Sequence, residues 1–179
     1  MIQEIVRIFE KASRNFLQEQ STFILSGVSE RSLCGELMKY LAREISETNF
    51  SKYHVDVEHN RNEGGKLKTI KNGKEIVIPI TCDIIVHSRG ENIKQDNLIA
   101  IEMKKSTNNK VEKDKDRERL IALTKDSFDN LWSYDGKTFP QHVCRYQLGV
   151  YYEINFIARH VVIEYYMKGE LQKNYIVGF

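Results

Sequence analysis

A chain of 179 residues, 41% hydrophobic and 29% charged, carries enough apolar material for one core and too much for a disordered chain. With only 2 Pro and 10 Gly it has no linker-like stretch, so residues 1–179 are expected to form a single domain. A formal net charge of +2 excludes a strongly basic general phosphate binder, and 3 cysteines without a C-x-x-C pair (Cys34, Cys82 and Cys144) exclude a disulfide frame or a zinc finger.

In chain order, Ile2, Ile5, Val6, Phe9, Ala12, Phe16 and Leu17 recur at helical spacing and predict a first amphipathic helix. Ser29 suits the N-cap of a second helix, in which Leu33, Leu37, Leu41 and Ile45 repeat every four residues as far as Ser46. The pattern turns extended from Tyr53 to Glu58, and Asn62-Glu-Gly-Gly and Lys71-Asn-Gly-Lys supply turn chemistry around short strands. Ile76 to His87 and Leu98 to Lys104 are the richest strand signals, separated by the polar turn Ser88-Arg-Gly-Glu-Asn.

A helix is expected from Val111, with Leu120-Ile-Ala-Leu123 as its inner face. Its basic residues, Lys110, Lys113, Lys115, Arg117 and Arg119, alternate with Glu112, Asp114, Asp116 and Glu118, which reads as an exposed, salt-bridged face. Asp126 to Pro140 carries no clear pattern. Strands are expected at Tyr146 to Ile154, Val161 to Met167 and Leu171 to Val177, the last two forming a hairpin through Lys168-Gly-Glu. The whole is an α/β arrangement: a central mixed sheet flanked by helices, with an N-terminal helix and a C-terminal β-hairpin.

The chemistry is concentrated where charges interrupt apolar strands. Asp83 follows Ile-Pro-Ile-Thr-Cys and precedes Ile-Ile-Val, and Glu102 and Lys104 end the run Leu-Ile-Ala-Ile. Strand alternation puts Glu102 and Lys104 on one face and Met103 on the other. Burying two carboxylates and an ammonium is costly unless they pair or bind a cation. At about 100° per residue, Glu30 shares the face of Leu33, Leu37 and Leu41, whereas Glu36 falls to the side. No Ser/His/Asp triad or phosphate-binding glycine loop competes; Gly64-Gly65 has only turn spacing.

The order helix, strand, strand with Asp, strand with Glu-x-Lys, helix, strand (αβββαβ) resembles the PD-(D/E)XK nuclease core shared by restriction endonucleases and junction resolvases. Ser29-Glu30-Arg31, Val57-Glu58-His59-Asn60-Arg61, Cys82-Asp83-Ile-Ile-Val-His87, Leu98-Ile-Ala-Ile-Glu102-Met-Lys104-Lys105 and Tyr146-Gln147-Leu-Gly149 are similar to a bacterial branch of that superfamily. The chain departs from the pattern at Pro79, which stands four positions before Asp83. The resemblance implies a restriction endonuclease-like fold and a Mg²⁺-dependent nuclease, with Mn²⁺ able to substitute. It implies metal ligation by Asp83, Glu102, the Met103 carbonyl and Glu30 from the helix, and catalysis by Asp83, Glu102 and Lys104. Lys105, Arg61, His59 and Gln147 are candidate nucleic-acid contacts. DNA is the expected substrate, with RNA and a catalytically inactive assembly subunit as alternatives, and a homodimer or larger nuclease assembly as a possible partner state. The N-terminus mixes acids into its apolar residues, and the stretch from Ile76 to Val86 is too short to span a bilayer, so a cytoplasmic protein without a membrane partner is expected.

Overall fold

The computed structural model describes residues 1–59, 69–71, 77–79, 82–92, 94–125 and 145–179. The turns expected at 62–65 and 72–74, the segment 126–140 and Arg61 lie outside the described residues. Helix α1 (Ile2–Glu19) buries Ile5, Phe9, Ala12, Phe16 and Leu17 of the expected stripe together with Ile8 and Ser13, while Ile2 and Val6 are only partly buried. A short helix α2 (Ser21–Leu25), not expected from the spacing, tucks Ile24 beneath it. Helix α3 (Glu30–Ser46) starts where Ser29 accepts the Ser32 N–H at 3.1 Å, and buries Leu33, Leu37, Leu41 and Ile45. Each such leucine contributes about 1.5–3 kcal/mol by leaving water.

Strands β1 (His54–His59), β4 (Cys82–His87), β5 (Asn97–Lys105), β6 (Leu148–Asn155), β7 (His160–Met167) and β8 (Glu170–Gly178) form a six-stranded sheet in the order β1-β4-β5-β6-β7-β8. Strands β2 (Thr69–Lys71) and β3 (Val77–Pro79) pair separately. The continuous strand expected from Ile76 to His87 is therefore two strands in two sheets, and proline, which has no N–H for a ladder, is the last residue of β3. All neighbours in the large sheet are antiparallel except β5 and β6. That parallel pair needs a crossover, which contains helix α4 (Lys110–Leu123). The terminal hairpin closes as its Lys-Gly signal predicts, with Lys168 and Gly169 both at positive φ between the paired Met167 and Glu170.

Alternation on β5 decides what each layer receives. Ile99, Ile101 and Met103 join the core formed with α1 and α3, whereas Ala100 joins a smaller cluster with Leu120 and Leu123 of α4. Tyr152 crosses the first interface, its hydroxyl 3.0 Å from Ser13 Oγ. On the α4 side, Gly149 permits close approach: a Cβ there would lie 2.9 Å from Thr124 Cγ2 and 3.2 Å from Tyr166 Cβ.

The charged run of α4 is not the exposed face its alternation suggests. Asp116 is buried, Lys113 bonds Glu153 at 3.0 Å, and Arg117 grips Glu164 through Nε and NH2 at 2.9 Å while its guanidinium lies 4.1 Å from the centre of the Tyr151 ring. The helix docks through opposite charges because β6 and β7 direct Glu153 and Glu164 towards it. Glu112, Lys115 and Glu118 remain exposed.

Candidate active site

Sheet strands and two helices converge on one pocket of about 350 Å³, lined by Glu30, Asp83, Glu102, Lys104, Asn108, Glu112, Lys115, Asp116 and Arg119. It lies where β4 and β5 part. Their recorded pairing ends at Ile84 opposite Ile101, and the Met103 N–H donates instead to Asp83 Oδ2 at 2.7 Å. A side chain thus replaces a main-chain acceptor and fixes the Asp83 carboxylate at the opened strand edge. The neighbouring Met103 carbonyl accepts from Lys104 Nζ at 3.3 Å, while the Met103 side chain turns away, its sulfur 3.7 Å from Cys34 Sγ.

Lys104 sits among three carboxylates: Asp116 Oδ2 at 3.1 Å, Glu30 Oε2 at 3.8 Å and Asp83 Oδ2 at 3.9 Å. Burial alone would lower its pKa, but Asp83 and Asp116 outweigh this and raise it above the usual lysine value. Glu102 is 1% exposed and meets Arg119 NH1 at 2.7 Å and the Cys82 thiol at 3.4 Å. Burial, then the Asp83 charge, push its carboxyl up to about 8 against the pull of Arg119. Burial also raises Asp83, with Lys104 opposing. Both carboxyls hold protons more firmly than in water, as expected of buried negative charge short of compensating cations.

Glu30 occupies the first turn of α3 and reaches the pocket from the opposite layer. Its Oε1 accepts the Lys105 N–H at 2.9 Å, tying the helix start to the end of β5. Glu36, the rival helix acid, pairs with Lys39 at 2.6 Å on the same helix and does not line the pocket. Lys105 points elsewhere, its ammonium 3.5 Å from the Gly27 carbonyl and 5.3 Å from the Phe156 ring centre. Gln147 precedes β6, four residues before the Tyr151 that faces Glu102 across the parallel pair, and is not a lining residue. At about 3.3 Å per strand residue that is a separation of roughly 13 Å. His59 ends β1, its backbone opposite Cys82.

Asp116 and Arg119 join the site from α4 without having been singled out in the sequence. Arg119 NH1 contacts Glu102 Oε1 and, at 3.2 Å, Asp116 Oδ1, so one guanidinium nitrogen bridges helix and strand. The signal was phase: Asp116 lies four residues before Leu120, and Arg119 four before Leu123, so both share the inward face of α4.

Among the described residues no group of three His, Cys, Asp or Glu side chains is arranged to hold a metal ion as it stands. The donor chemistry nevertheless fits a hard divalent cation. Five carboxylates line the pocket against three cationic side chains, with no imidazole among them, and the buried Asp116 Oδ2 has the Lys104 ammonium, 3.1 Å away, as its ionic partner. No protein-family model matches this chain, and no curated protein and no solved structure matches it either.

Proposed function

We propose that this chain is a Mg²⁺-dependent nuclease, with Mn²⁺ able to substitute, that hydrolyses phosphodiester bonds in DNA. Support comes chiefly from the meeting of Glu30, Asp83, Glu102 and Lys104 in one pocket at a parted strand edge. The order α3, β1, β4, β5, α4, β6 within the mixed sheet is similar to the αβββαβ core of restriction endonuclease-like enzymes.

In this reading Asp83, Glu102 and the Met103 carbonyl hold the cation, with Glu30 beside them. A hard divalent cation there supplies Lewis acidity towards the phosphate and the attacking water. Water adds to phosphorus, the bond from phosphorus to one sugar oxygen breaks, and the proton lost by the water balances the one taken up by the leaving oxygen. Before a cation enters, the surrounding carboxylates raise the Lys104 pKa and hold it as an ammonium. Its part is to orient the water and offset charge at the phosphate rather than to remove a proton. The Met103 N–H bond holds Asp83 in place, and the Lys105 N–H bond does the same for Glu30.

Incubation of the purified chain with linear, circular and single-stranded DNA and with RNA, in Mg²⁺ or Mn²⁺, tests the reading. DNA cleavage by the wild type, lost by at least about a hundredfold in Lys104→Ala and Asp83→Ala, is the expected result. Absence of cleavage, or equal cleavage by both variants, refutes it, and preferential cleavage of RNA reassigns the substrate. One observation favours a catalytically inactive, nucleic-acid-binding or assembly subunit: Arg119 and Lys104 already neutralise Glu102 and Asp116. In that case nucleic acid is bound and none is cut.

A further inference from the structure

We propose that Lys115 is the phosphate contact of this pocket: its ammonium takes a backbone phosphate of the nucleic acid at the pocket mouth and contributes to substrate binding rather than to the chemical step. The inference rests on the nuclease reading for the identity of the anion as a nucleic-acid phosphate. It adds a substrate contact on α4, a helix from which the Asp83, Glu102, Lys104 and Glu30 set takes nothing.

One wall of the pocket is a single helical stripe. Asn108, Glu112, Lys115, Asp116 and Arg119 follow one another at i, i+4, i+7, i+8 and i+11, beginning just before the Asn109 cap. Burial changes across the stripe. Asp116 is buried and Arg119 half-buried, both against the sheet acids, whereas Glu112 and Lys115 are exposed. The outer pair therefore stands where solvent, and with it a substrate, reaches the pocket.

Of the three cations in the lining, two are already committed. Lys104 has Asp116 at 3.1 Å, with Glu30 and Asp83 beyond, and Arg119 has Glu102 at 2.7 Å and Asp116 at 3.2 Å. Lys115 makes no ion pair or hydrogen bond among the described residues. Acids are near in sequence, since Glu112 and Glu118 flank it three residues away on either side, the spacing at which helical ion pairs form. Elsewhere in this chain that spacing is used, by Lys39 with Glu36 and by Arg117 with Asp114. The Lys115 charge is thus the one positive charge in the described lining not taken up by a protein acid, and a lysine meets phosphate as a point charge without demanding a fixed fork geometry. A contact of this kind is made equally to bound substrate and to the transition state, so it lowers KM and leaves kcat in place.

The test is steady-state cleavage of a labelled DNA duplex by the full chain in Mg²⁺, for the wild type, Lys115→Ala, Lys115→Gln and Lys115→Arg, with circular dichroism melts to confirm folding. Lys110→Ala is the control, an exposed lysine of the same helix outside the pocket lining. Both neutral variants of Lys115 should raise KM about tenfold with kcat within about twofold, Lys115→Arg should restore KM, and Lys110→Ala should match the wild type. Fluorescence anisotropy with the same duplex, in the Lys104→Ala background, should show Lys115→Ala weakening binding about tenfold and reducing the log–log salt slope by about one. Unchanged KM and slope in the neutral variants, a loss confined to kcat, or an equal effect of Lys110→Ala overturns the inference, while cleavage by the wild type keeps the nuclease reading. DNA bound but never cut, with the Lys115→Ala effects on affinity and slope intact, keeps the phosphate contact and removes the nuclease reading. A chain that neither binds nor cuts nucleic acid overturns both.

Discussion

Asp56 lies on β1 opposite Ile85, two residues along β4 from Asp83, and shows what a carboxylate does here when its cations are in place. It meets Arg89 NH2 at 2.6 Å and His87 Nε2 at 2.8 Å. Burial works against its ionised form, but bonds from Arg89 and His87 prevail and lower its pKa to about 2. In the unfolded chain the group titrates near 3.8, so its stabilisation is complete above that value and is lost as pH falls towards about 2. Discounted for partial solvent screening, the contribution is about 1 kcal/mol. Urea unfolding of the wild type and Asp56→Asn should therefore differ most near neutral pH and converge on acidification between pH 4 and 2. A difference independent of pH would contradict the assignment. Glu102 shows the opposite condition, with a single partly exposed arginine against deep burial and a pKa raised to about 8.

At the scale of elements, α4 is where sequence and structure part company. Glu30, Asp83, Glu102 and Lys104 could be read from the sequence because a charge in an apolar strand, or on the leucine face of a helix, has few innocent explanations. Asp116 and Arg119 share a phase with Leu120 and Leu123, but that signal was masked, because alternating charges at i,i+3 spacing look the same whether a helix faces water or an oppositely charged sheet. What settles the choice is non-local: Glu102, Glu153 and Glu164 on three different strands meet Arg119, Lys113 and Arg117. The division of Ile76 to His87 was hidden for a similar reason, since an apolar run does not reveal which sheet each half will join. The seating of α4 also depends on a missing side chain. At Gly149 a methyl group would press on Thr124 Cγ2 at 2.9 Å and Tyr166 Cβ at 3.2 Å, and Leu120 Cβ lies 3.5 Å away. Gly149→Ala should cost about 1–3 kcal/mol by overpacking, read in a denaturation melt. Because Asp116 and Arg119, which line the pocket beside Glu102, ride on the same helix, the substitution should also disturb the pocket and, in the nuclease reading, weaken Mn²⁺ binding with Asp83 and Glu102 unchanged. A melt unchanged from wild type would show that α4 yields freely and that its position is not fixed here.

Across the whole molecule, charge is arranged against simple attraction of nucleic acid. The chain carries a net +2, yet its pocket is lined by five carboxylates and three cationic side chains. A phosphate approaching the bare pocket meets repulsion at short range and little steering from afar. Nor does the charged run of α4 offer a free basic stripe, since Lys113, Arg117 and Arg119 are committed to Glu153, Glu164 and Glu102. If the pocket acts on DNA, the divalent cation must therefore contribute to binding as well as to hydrolysis. Fluorescence anisotropy with a labelled duplex and the non-cleaving Lys104→Ala variant examines this directly. At constant ionic strength, replacing Na⁺ partly by Mg²⁺ should strengthen binding, although Mg²⁺ weakens ordinary backbone contacts by competing for phosphate. The salt dependence should be shallow, with a log–log slope of about −3 or less in magnitude, corresponding to about three displaced counter-ions. A steep slope, or binding weakened by Mg²⁺, would mean that DNA is held on a basic surface away from this pocket. A shallow slope with Mg²⁺-enhanced binding would instead place the pocket at the centre of recognition, leaving substrate choice to a few local contacts or to a partner with its own basic surface.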